Sequence, residues 1–331
     1  MNLGERIDLM VRLGNYLGEN TDQWQQVKQL AFEKNKWFTE EFIDLATLNI
    51  TAQFLGRQAL EKWVTHYHLD NNIRPKTIGI VMAGNIPLVG FHDFLSVFIS
   101  GHRQDIKLSE KDNILAAHLV EKLTEWDPSV AAVITVAERL QNCDAYIATG
   151  SNNSSRYFNY YFGRYPSIIR HNKTSVAILS GKETEKELSL LADDVYTFFG
   201  LGCRNVTKLY VPVDYDFVPL LQAFRKYNYL ADHVKYRNNY DYNLALLIMN
   251  SKKYMSNDSI LLLEDDSIFT PVSQLHYTFY RDKDVNKGSV SIDENIQCIV
   301  GAGGIAFGQS QRPGLFDYAD GKDTMAFLLA Q

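Results

Sequence analysis

The sequence is poor in cysteine, with only Cys143, Cys203 and Cys298 among its 331 residues. Three widely spaced cysteines argue against a disulfide framework and are typical of reduced thiols in a cytosolic protein. Residues 1–20 are charged and amphipathic, unlike the continuous apolar core of a signal peptide. The sequence also lacks a run of about 18 uninterrupted apolar residues, the length of a membrane span. We therefore expect a cytoplasmic protein with no membrane span.

Clusters of basic residues are also absent, and the formal net charge is −6. Because nucleic-acid-binding domains usually carry a basic footprint, the sequence argues against a nucleic-acid partner. His66 and His68 have no further ligand types nearby, so no metal site is predicted. The segment GAGGIA (301–306) matches a loose dinucleotide fingerprint, but too little chain follows it for a strand–helix–strand unit. We interpret this segment as a backbone turn.

Hydrophobic residues make up 46% of the chain and charged residues 22%, as in ordinary folded globular proteins. Its length suits about two domains. Residues 1–70 carry apolar side chains three and four apart, which predicts helices. From Pro75 onward, short apolar runs alternate with helical patterns, and the clearest strands are predicted at 77–84, 104–109, 143–151 and 174–181. This alternation predicts an α/β fold, with one region over 1–183 and a second over 184–331.

The strongest local candidate for chemistry is Cys203, in FFGLGCRNVT (198–207). Two glycines precede it and a predicted strand follows, so a helix–loop–strand junction would expose the thiol. Arg204 beside it would favour the thiolate, which is the nucleophilic form. On this segment alone, a small buried hydrophobic cysteine is the commoner outcome, and both interpretations stay open.

A second candidate is Asn85, in MAGNIPLVG (82–90). It follows the carboxyl end of a predicted strand, where open α/β sheets bind their ligands. An asparagine amide can donate to a developing oxyanion. The alternative is an ordinary turn, since Gly-Asn followed by X-Pro is common in loops.

Two further segments have the chemistry to bind a nucleotide. In IKLSEKD (106–112), Lys107 and Ser109 stand at a strand end where they could hold a ribose or a phosphate; otherwise Ser109 is a helix N-cap. In ATGSNNSS (148–155), Gly150 and Ser151 open a helix whose amino terminus could receive a phosphate. Ordinary helix capping explains the second segment equally well.

The order of these segments resembles a known set of motifs. AGNIPLVG, IKLSE, IATGS, FFGLGC and DSIFTPV are similar to W-N-x-P, K-P-S-E, F-T-G-S, G-Q-x-C and E-E-x-F-G-P of the aldehyde dehydrogenase superfamily. FGLGCRNVTKLYVP and FGQSQRPGLFDYADGKDTM resemble its acyl-CoA reductase branch, the LuxC family. The resemblance covers roughly residues 75–330. It implies an aldehyde-dehydrogenase-like α/β fold, with a Rossmann-type cofactor-binding domain over 1–183 and a catalytic domain over 184–331.

The resemblance also implies roles for individual residues. Cys203 matches the nucleophile, and Asn85 matches the amide of the oxyanion hole. The implied cofactor-binding residues are Lys107 and Ser109 at the adenosine end, Gly150 and Ser151 near the phosphates, and Phe269 near the nicotinamide.

Two departures from the superfamily pattern refine the expected chemistry. IIRHNKTSV (168–176) replaces the segment that carries the general-base glutamate of the hydrolytic members, and it contains no carboxylate. A thiol needs less activation than water, so acyl exchange with coenzyme A is favoured over hydrolysis. His171 in this segment is a candidate proton donor, although we favour a surface residue. The position of the superfamily's glutamate that holds the nicotinamide ribose is occupied here by Ser267, with Asp266 beside it.

The implied activity is that of an acylating aldehyde dehydrogenase, which reduces a fatty acyl-CoA to an aldehyde with NAD(P)H through an acyl-cysteine thioester. We expect NADPH as the cofactor, while Glu110, which would repel a 2′-phosphate, keeps NADH open. The expected partners are an acyl thioester, an acyl-donor protein and further copies of the chain in a homo-oligomer. Two alternatives stay open: an acyl carrier or scaffold that is acylated on Cys203 without efficient reduction, and a hydrolytic aldehyde dehydrogenase.

Overall fold

The computed structural model of the chain describes residues 1–281 and 293–331. The chain divides into two compact units, and each contains its own β-sheet. The first unit comprises Met1–Asn172 and Pro313–Gln331, and the second comprises Lys173–Arg312. Both units alternate strands with helices, as the sequence predicts.

The first unit begins with four helices: α1 (Leu3–Glu19), α2 (Asp22–Lys34), α3 (Glu40–Phe54) and α4 (Arg57–His66). A capping box formed by Asn2 and Glu5 starts α1, and the Thr39 hydroxyl caps α3. Apolar faces of these helices share one core with the sheet, through buried residues such as Leu13 and Trp63. The amino-terminal helices are therefore an integral part of the first unit.

In the part of the chain that the structure describes, five parallel strands form the first sheet: β1 (Thr77–Val81), β2 (Arg103–Lys107), β3 (Ile134–Val136), β4 (Ala145–Thr149) and β5 (Ser167–Arg170). Helices α5 (Phe91–Ser100), α6 (Asn113–Trp126) and α7 (Asn152–Phe162) connect them. The strand order is β3-β2-β1-β4-β5, so the winding reverses between β1 and β4. Open α/β sheets bind ligands at such a reversal, beyond the carboxyl ends of the strands.

The second sheet has six strands among the described residues, in the order β11-β6-β7-β10-β9-β8. They are β6 (Thr174–Ile178), β7 (Val206–Pro212), β8 (Met255–Ser256), β9 (Leu261–Glu264), β10 (Gln274–Tyr280) and β11 (Ile296–Gly301). Among the strand pairings of the described residues, only that of β8 with β9 is antiparallel. Among the described residues, three helices accompany this sheet: α8 (Glu185–Tyr196), α9 (Phe217–Phe224) and α10 (Val234–Met249). The final helix, α11 (Thr324–Leu329), belongs to the first unit.

The α/β class follows the prediction, but the division of the chain differs from the predicted boundary at 183/184 in two respects. Strand β6 belongs to the second unit, because it pairs with β7 and β11. Residues 313–331 return to the first unit, where the Tyr318 hydroxyl accepts a hydrogen bond from Trp63 Nε1 at 2.9 Å and Met325 is fully buried. Sequence periodicity identifies strands and helices, but the sheet that each one joins depends on tertiary pairing.

Candidate active site

Cys203 is half-buried in a tight turn just before β7. The fully buried Asn205 holds this turn: its Oδ1 accepts the Gly202 N–H at 2.8 Å. Its Nδ2 donates to the carbonyl oxygens of Asp194, Val195 and Thr197 at 3.2, 3.3 and 2.8 Å. Every polar atom of the Asn205 side chain is thus satisfied, which fixes the backbone that presents the thiol.

The backbone leading into this turn is unusual. Phe198 and Phe199 adopt left-handed conformations, with φ of 55° and 57°, and Gly200 follows with φ of 73°. Bulky side chains rarely adopt this conformation, which costs on the order of 1 kcal/mol or more for each residue. Both rings are buried, and their packing offsets this cost. Such strain clusters at functional sites, which agrees with a functional role for the turn.

Ser175 on β6 connects the Cys203 turn to another cysteine. Its hydroxyl donates to the Cys203 carbonyl oxygen at 3.0 Å, and it lies 3.0 Å from the Cys298 sulfur. Burial raises the pKa of the Cys298 thiol, and Ser175 and the Arg204 guanidinium act in the opposite direction. Arg204 therefore acts electrostatically on Cys298, a contact that the sequence did not indicate. Its predicted effect on the Cys203 thiol stays a prediction.

The loop that carries Phe269 is attached to β7, the strand that follows Cys203. Thr207 Oγ1 donates to the Ile268 carbonyl oxygen at 2.5 Å, and the buried Lys208 Nζ donates to the carbonyl oxygen of Asp265. Ser267 is engaged within the loop, since its hydroxyl donates to the Phe269 carbonyl oxygen at 2.9 Å. Within the second unit, Phe269 and Cys203 are thus positioned from the same strand.

In the first unit, Asn85, Lys107 and Ser109 all lie at or just after the carboxyl ends of two neighbouring strands, β1 and β2. Asn85 is exposed in a bend after β1, Lys107 is the exposed last residue of β2, and Ser109 is half-buried. The two loops pack closely at Gly84, where an added Cβ would lie 2.6 Å from the Ser109 hydroxyl oxygen. The structure thus brings the Asn85 loop against the loop that carries Lys107 and Ser109.

Asp112, which the sequence analysis missed, links these two loops. It stands at the start of α6, and its Oδ2 accepts the Leu88 N–H at 2.6 Å. Leu88 has a left-handed φ of 54°, so this contact fixes a strained point of the Asn85 loop. Asp112 Oδ1 has no hydrogen-bond partner among the described residues. Burial raises the pKa of this carboxyl to about 8, although the Leu88 N–H acts to lower it.

Gly150 and Ser151 follow β4, on the other side of the β1/β4 reversal. The Ser151 hydroxyl accepts the Ser154 N–H at 3.3 Å and caps α7. A Cβ on Gly150 would lie 2.8 Å from the Phe158 ring, so a glycine is required for this close approach. The capping alternative is therefore realised, and phosphate binding at the same helix end stays a prediction. His171 is exposed between β5 and β6.

The described residues also bear on metal binding and membrane insertion. No group of three or more His, Cys, Asp or Glu side chains has an arrangement that could hold a metal ion there. Within the described ranges, none of the helices combines the length and apolar character needed to cross a membrane.

Solved structures with a similar fold include aldehyde dehydrogenases. Aldehyde dehydrogenase 21 from Physcomitrella patens, in complex with the reaction product succinate, is 13% identical; the match covers 91% of this chain and 74% of that one, with a TM-score of 0.64. An aldehyde dehydrogenase from Mycobacterium tuberculosis, complexed with NAD+, is also 13% identical, covers 91% and 73%, and has a TM-score of 0.61. The predicted aldehyde-dehydrogenase-like fold is confirmed.

A sequence model of one family defines the chain further. The family described as acyl-CoA reductase (LuxC) matches residues 38–219, which is more than half of the chain. The protein belongs to this family and is an oxidoreductase, so the family resemblance inferred from the sequence is confirmed. No match to the sequence was found among curated proteins.

Proposed function

We propose that the protein reduces an acyl-CoA, with a fatty acyl chain, to the aldehyde through a thioester on Cys203. The observation that carries this proposal is the half-buried Cys203 thiol in a turn whose backbone is fixed by the buried Asn205. A nucleophile needs such a fixed position, because misplacement of the attacking atom costs much of the rate. The family match supplies the reaction class.

In the first step, the Cys203 thiolate attacks the carbonyl carbon of the acyl-CoA thioester. The Asn85 amide and the Cys203 N–H are the proposed donors to the tetrahedral oxyanion. Collapse of this intermediate breaks the bond to the coenzyme A sulfur, which leaves as a thiolate, and the acyl group remains on Cys203. The exposed position of Asn85 beyond β1 supports its role as a donor to a bound ligand.

The first unit offers a place for a nicotinamide dinucleotide in our proposal. The β1/β4 reversal, the glycine required at 150 and the capped start of α7 together make a suitable place for its phosphates. We assign Lys107 and Ser109 to its adenosine end and Phe269 to its nicotinamide end. When bound, the nicotinamide cofactor supplies the hydride that reduces the thioester carbon. The NAD+ complex of the M. tuberculosis enzyme, which shares the fold, supports this class of cofactor.

The last step releases the aldehyde. The bond between the reduced carbon and the Cys203 sulfur breaks, and the sulfur takes back the electron pair as a thiolate. Water competes poorly for the acyl group in our proposal, because residues 168–176 offer no carboxylate as a general base. We propose NADPH as the reductant, since the resembling reductases generally use it. Glu110 is exposed next to Ser109, so both NADPH and NADH must be measured.

The test is NAD(P)H oxidation by the purified protein over a series of acyl-CoA chain lengths, with product aldehyde measured directly. We expect wild-type activity to rise with chain length, and Cys203→Ala to lose activity on the order of a thousandfold or more. Cys298→Ala is the matched control, because it removes a thiol from the same unit and should retain activity. Acyl-dependent oxidation that survives in Cys203→Ala contradicts the mechanism.

An acyl carrier acylated on Cys203 is the second candidate. It is favoured by the engagement of Ser267, where the superfamily has its ribose-binding glutamate, in hydrogen bonds with Phe269. A labelled acyl group retained on Cys203 without any NAD(P)H oxidation would support this candidate over reduction. Acid formation from an aldehyde with NAD(P)+ would instead support a hydrolytic enzyme.

A further inference from the structure

A cavity of the first unit lies away from the proposed active-site residues. Its volume is about 540 Å³, within the roughly 300–1,000 Å³ of small-molecule sites. It is lined at the amino-terminal ends of three parallel strands by Pro75 before β1, His102 and Arg103 at β2, and Ala132 and Val133 before β3. Asn85, Lys107 and Ser151 lie at or after the carboxyl ends of strands. This cavity therefore lies at the opposite ends of the strands, in the same sheet.

Arg6, on the first turn of α1, lines this cavity and is only 6% exposed. Its Nη1 donates to the Met1 carbonyl oxygen at 3.3 Å, whereas Nε and Nη2 have no hydrogen-bond partner among the described residues. Its guanidinium lies against Gly101, where an added Cβ would be 2.9 Å from Nη1. Glu5 acts on the guanidinium electrostatically, but Arg6 has no ion pair within 4 Å among the described residues. A buried cation without an ion pair or full hydrogen bonding is costly, so its retention calls for an explanation.

The surroundings of Arg6 favour an anion. Arg103 adds a second guanidinium to the lining, and none of the described residues that line the cavity is acidic. The 17-residue helix α1 begins beside it, and a helix amino terminus attracts negative charge. Ile73, Phe98 and Val133 provide apolar walls, which an inorganic ion would leave uncovered.

We propose that this cavity binds a small organic anion, whose carboxylate or phosphate group pairs with Arg6 and whose apolar part packs on Ile73, Phe98 and Val133. A guanidinium presents its N–H groups in a fixed fork that matches the two oxygens of either group. Arg103 strengthens the attraction from the rim. The site uses none of the residues of the proposed reduction, so it stands independently of that function.

Isothermal titration calorimetry on the full chain in Tris chloride tests the proposal. The probes are acetate and hexanoate for the carboxylate class, and inorganic phosphate and phenyl phosphate for the phosphate class. We expect saturable binding that is tighter for hexanoate or phenyl phosphate than for the small ion of the same class. Arg6→Met should weaken binding on the order of tenfold or more, and Arg103→Gln by a smaller factor. Arg139→Met is the control, because Arg139 is exposed in the same unit and does not line the cavity.

Thermal unfolding separates a ligand-binding Arg6 from a merely structural one. Without added anion, Arg6→Met should unfold at the wild-type temperature or above it, because a costly buried charge has been removed. The bound probe should raise the unfolding temperature of wild type and leave that of Arg6→Met unchanged. If Arg6→Met does not fold, the weaker binding of Arg103→Gln decides the matter.

Three outcomes overturn the proposal. The first is an absence of saturable binding for every probe, and the second is binding that neither arginine substitution weakens. The third is equal affinity for the small ion and its larger apolar derivative in both classes, since the cavity would then bind only the anionic group and the apolar walls would contribute nothing.

Discussion

Two loop regions carry the proposed chemistry, and they are held in place by different means. In the second unit, the amide of Asn205 makes four hydrogen bonds with the backbone of the Cys203 turn and its surroundings. In the first unit, the carboxyl group of Asp112 binds the loop after β1; one of its oxygens accepts a hydrogen bond and the other has no described partner. An amide does not titrate in the physiological range, whereas a buried carboxyl does. The stability of the loop after β1 in the first unit should therefore depend on pH, and that of the Cys203 turn in the second unit should not.

The largest effect on stability is expected from Asn205→Ala, which removes the hydrogen bonds that hold the Cys203 turn. Four backbone groups lose their partner, and each buried unsatisfied group costs about 1–3 kcal/mol, although such costs are not additive. We expect the free energy of unfolding to fall by about 3 kcal/mol or more, measured by urea denaturation. Asn250→Ala is the matched control, because it removes one exposed hydrogen bond to Leu246 and should change stability by less than about 1 kcal/mol. Equal effects of the two substitutions would contradict this account of the turn.

Asp112→Ala should have a smaller effect on the first region. It leaves the Leu88 N–H buried without an acceptor, at a cost of about 1–3 kcal/mol. Asp112→Asn keeps an oxygen at the same place, so its stability at pH 8 should match or exceed that of the wild type. If the alanine and asparagine variants are equally unstable, the hydrogen bond to Leu88 does not hold the loop.

The pH dependence of the same residue sharpens the comparison. The pKa of Asp112 is raised to about 8 in the folded protein, above its usual value near 3.9, so the folded state binds the extra proton between these values. Stability from this group is complete below the lower value and is lost as the pH rises towards 8. We expect the stability of wild type relative to Asp112→Asn to fall by up to about 1.4 kcal/mol per pH unit from pH 5 to pH 8. Urea denaturation of both proteins at four pH values checks the slope; parallel curves would contradict it.

These differences also separate what the sequence predicts from what it does not. Cys203, Asn85 and Gly150 stand in contiguous motifs with a fixed order, so the family resemblance predicts roles for them, and these roles stay predictions. Asp112 looks like part of a solvated helix start, because its contact with Leu88 lies 24 residues away in the chain. Strand β6 is visible from its apolar pattern, but its membership of the second sheet depends on pairing with β7 and β11. Local patterns thus predict elements and motifs, while long-range contacts decide how they are held.

The smallest effect on stability is expected from removing single thiols. This experiment compares Cys203 with Cys143 and Cys298. Burial and the charge of Asp105 raise the pKa of Cys143 to about 11, and burial raises the pKa of Cys298. Thiolates react with disulfide reagents and thiols do not, so at pH 7.5 a fast phase of labelling should come from the half-buried Cys203. Cys203→Ala should abolish this phase, whereas Cys298→Ser should keep it and change the unfolding free energy by less than about 1 kcal/mol, since a hydroxyl can still bond Ser175. A fast phase that persists in Cys203→Ala and disappears in Cys298→Ser would contradict this assignment. The reactive thiol, and the nucleophile of the proposed reaction, would then be Cys298 on β11.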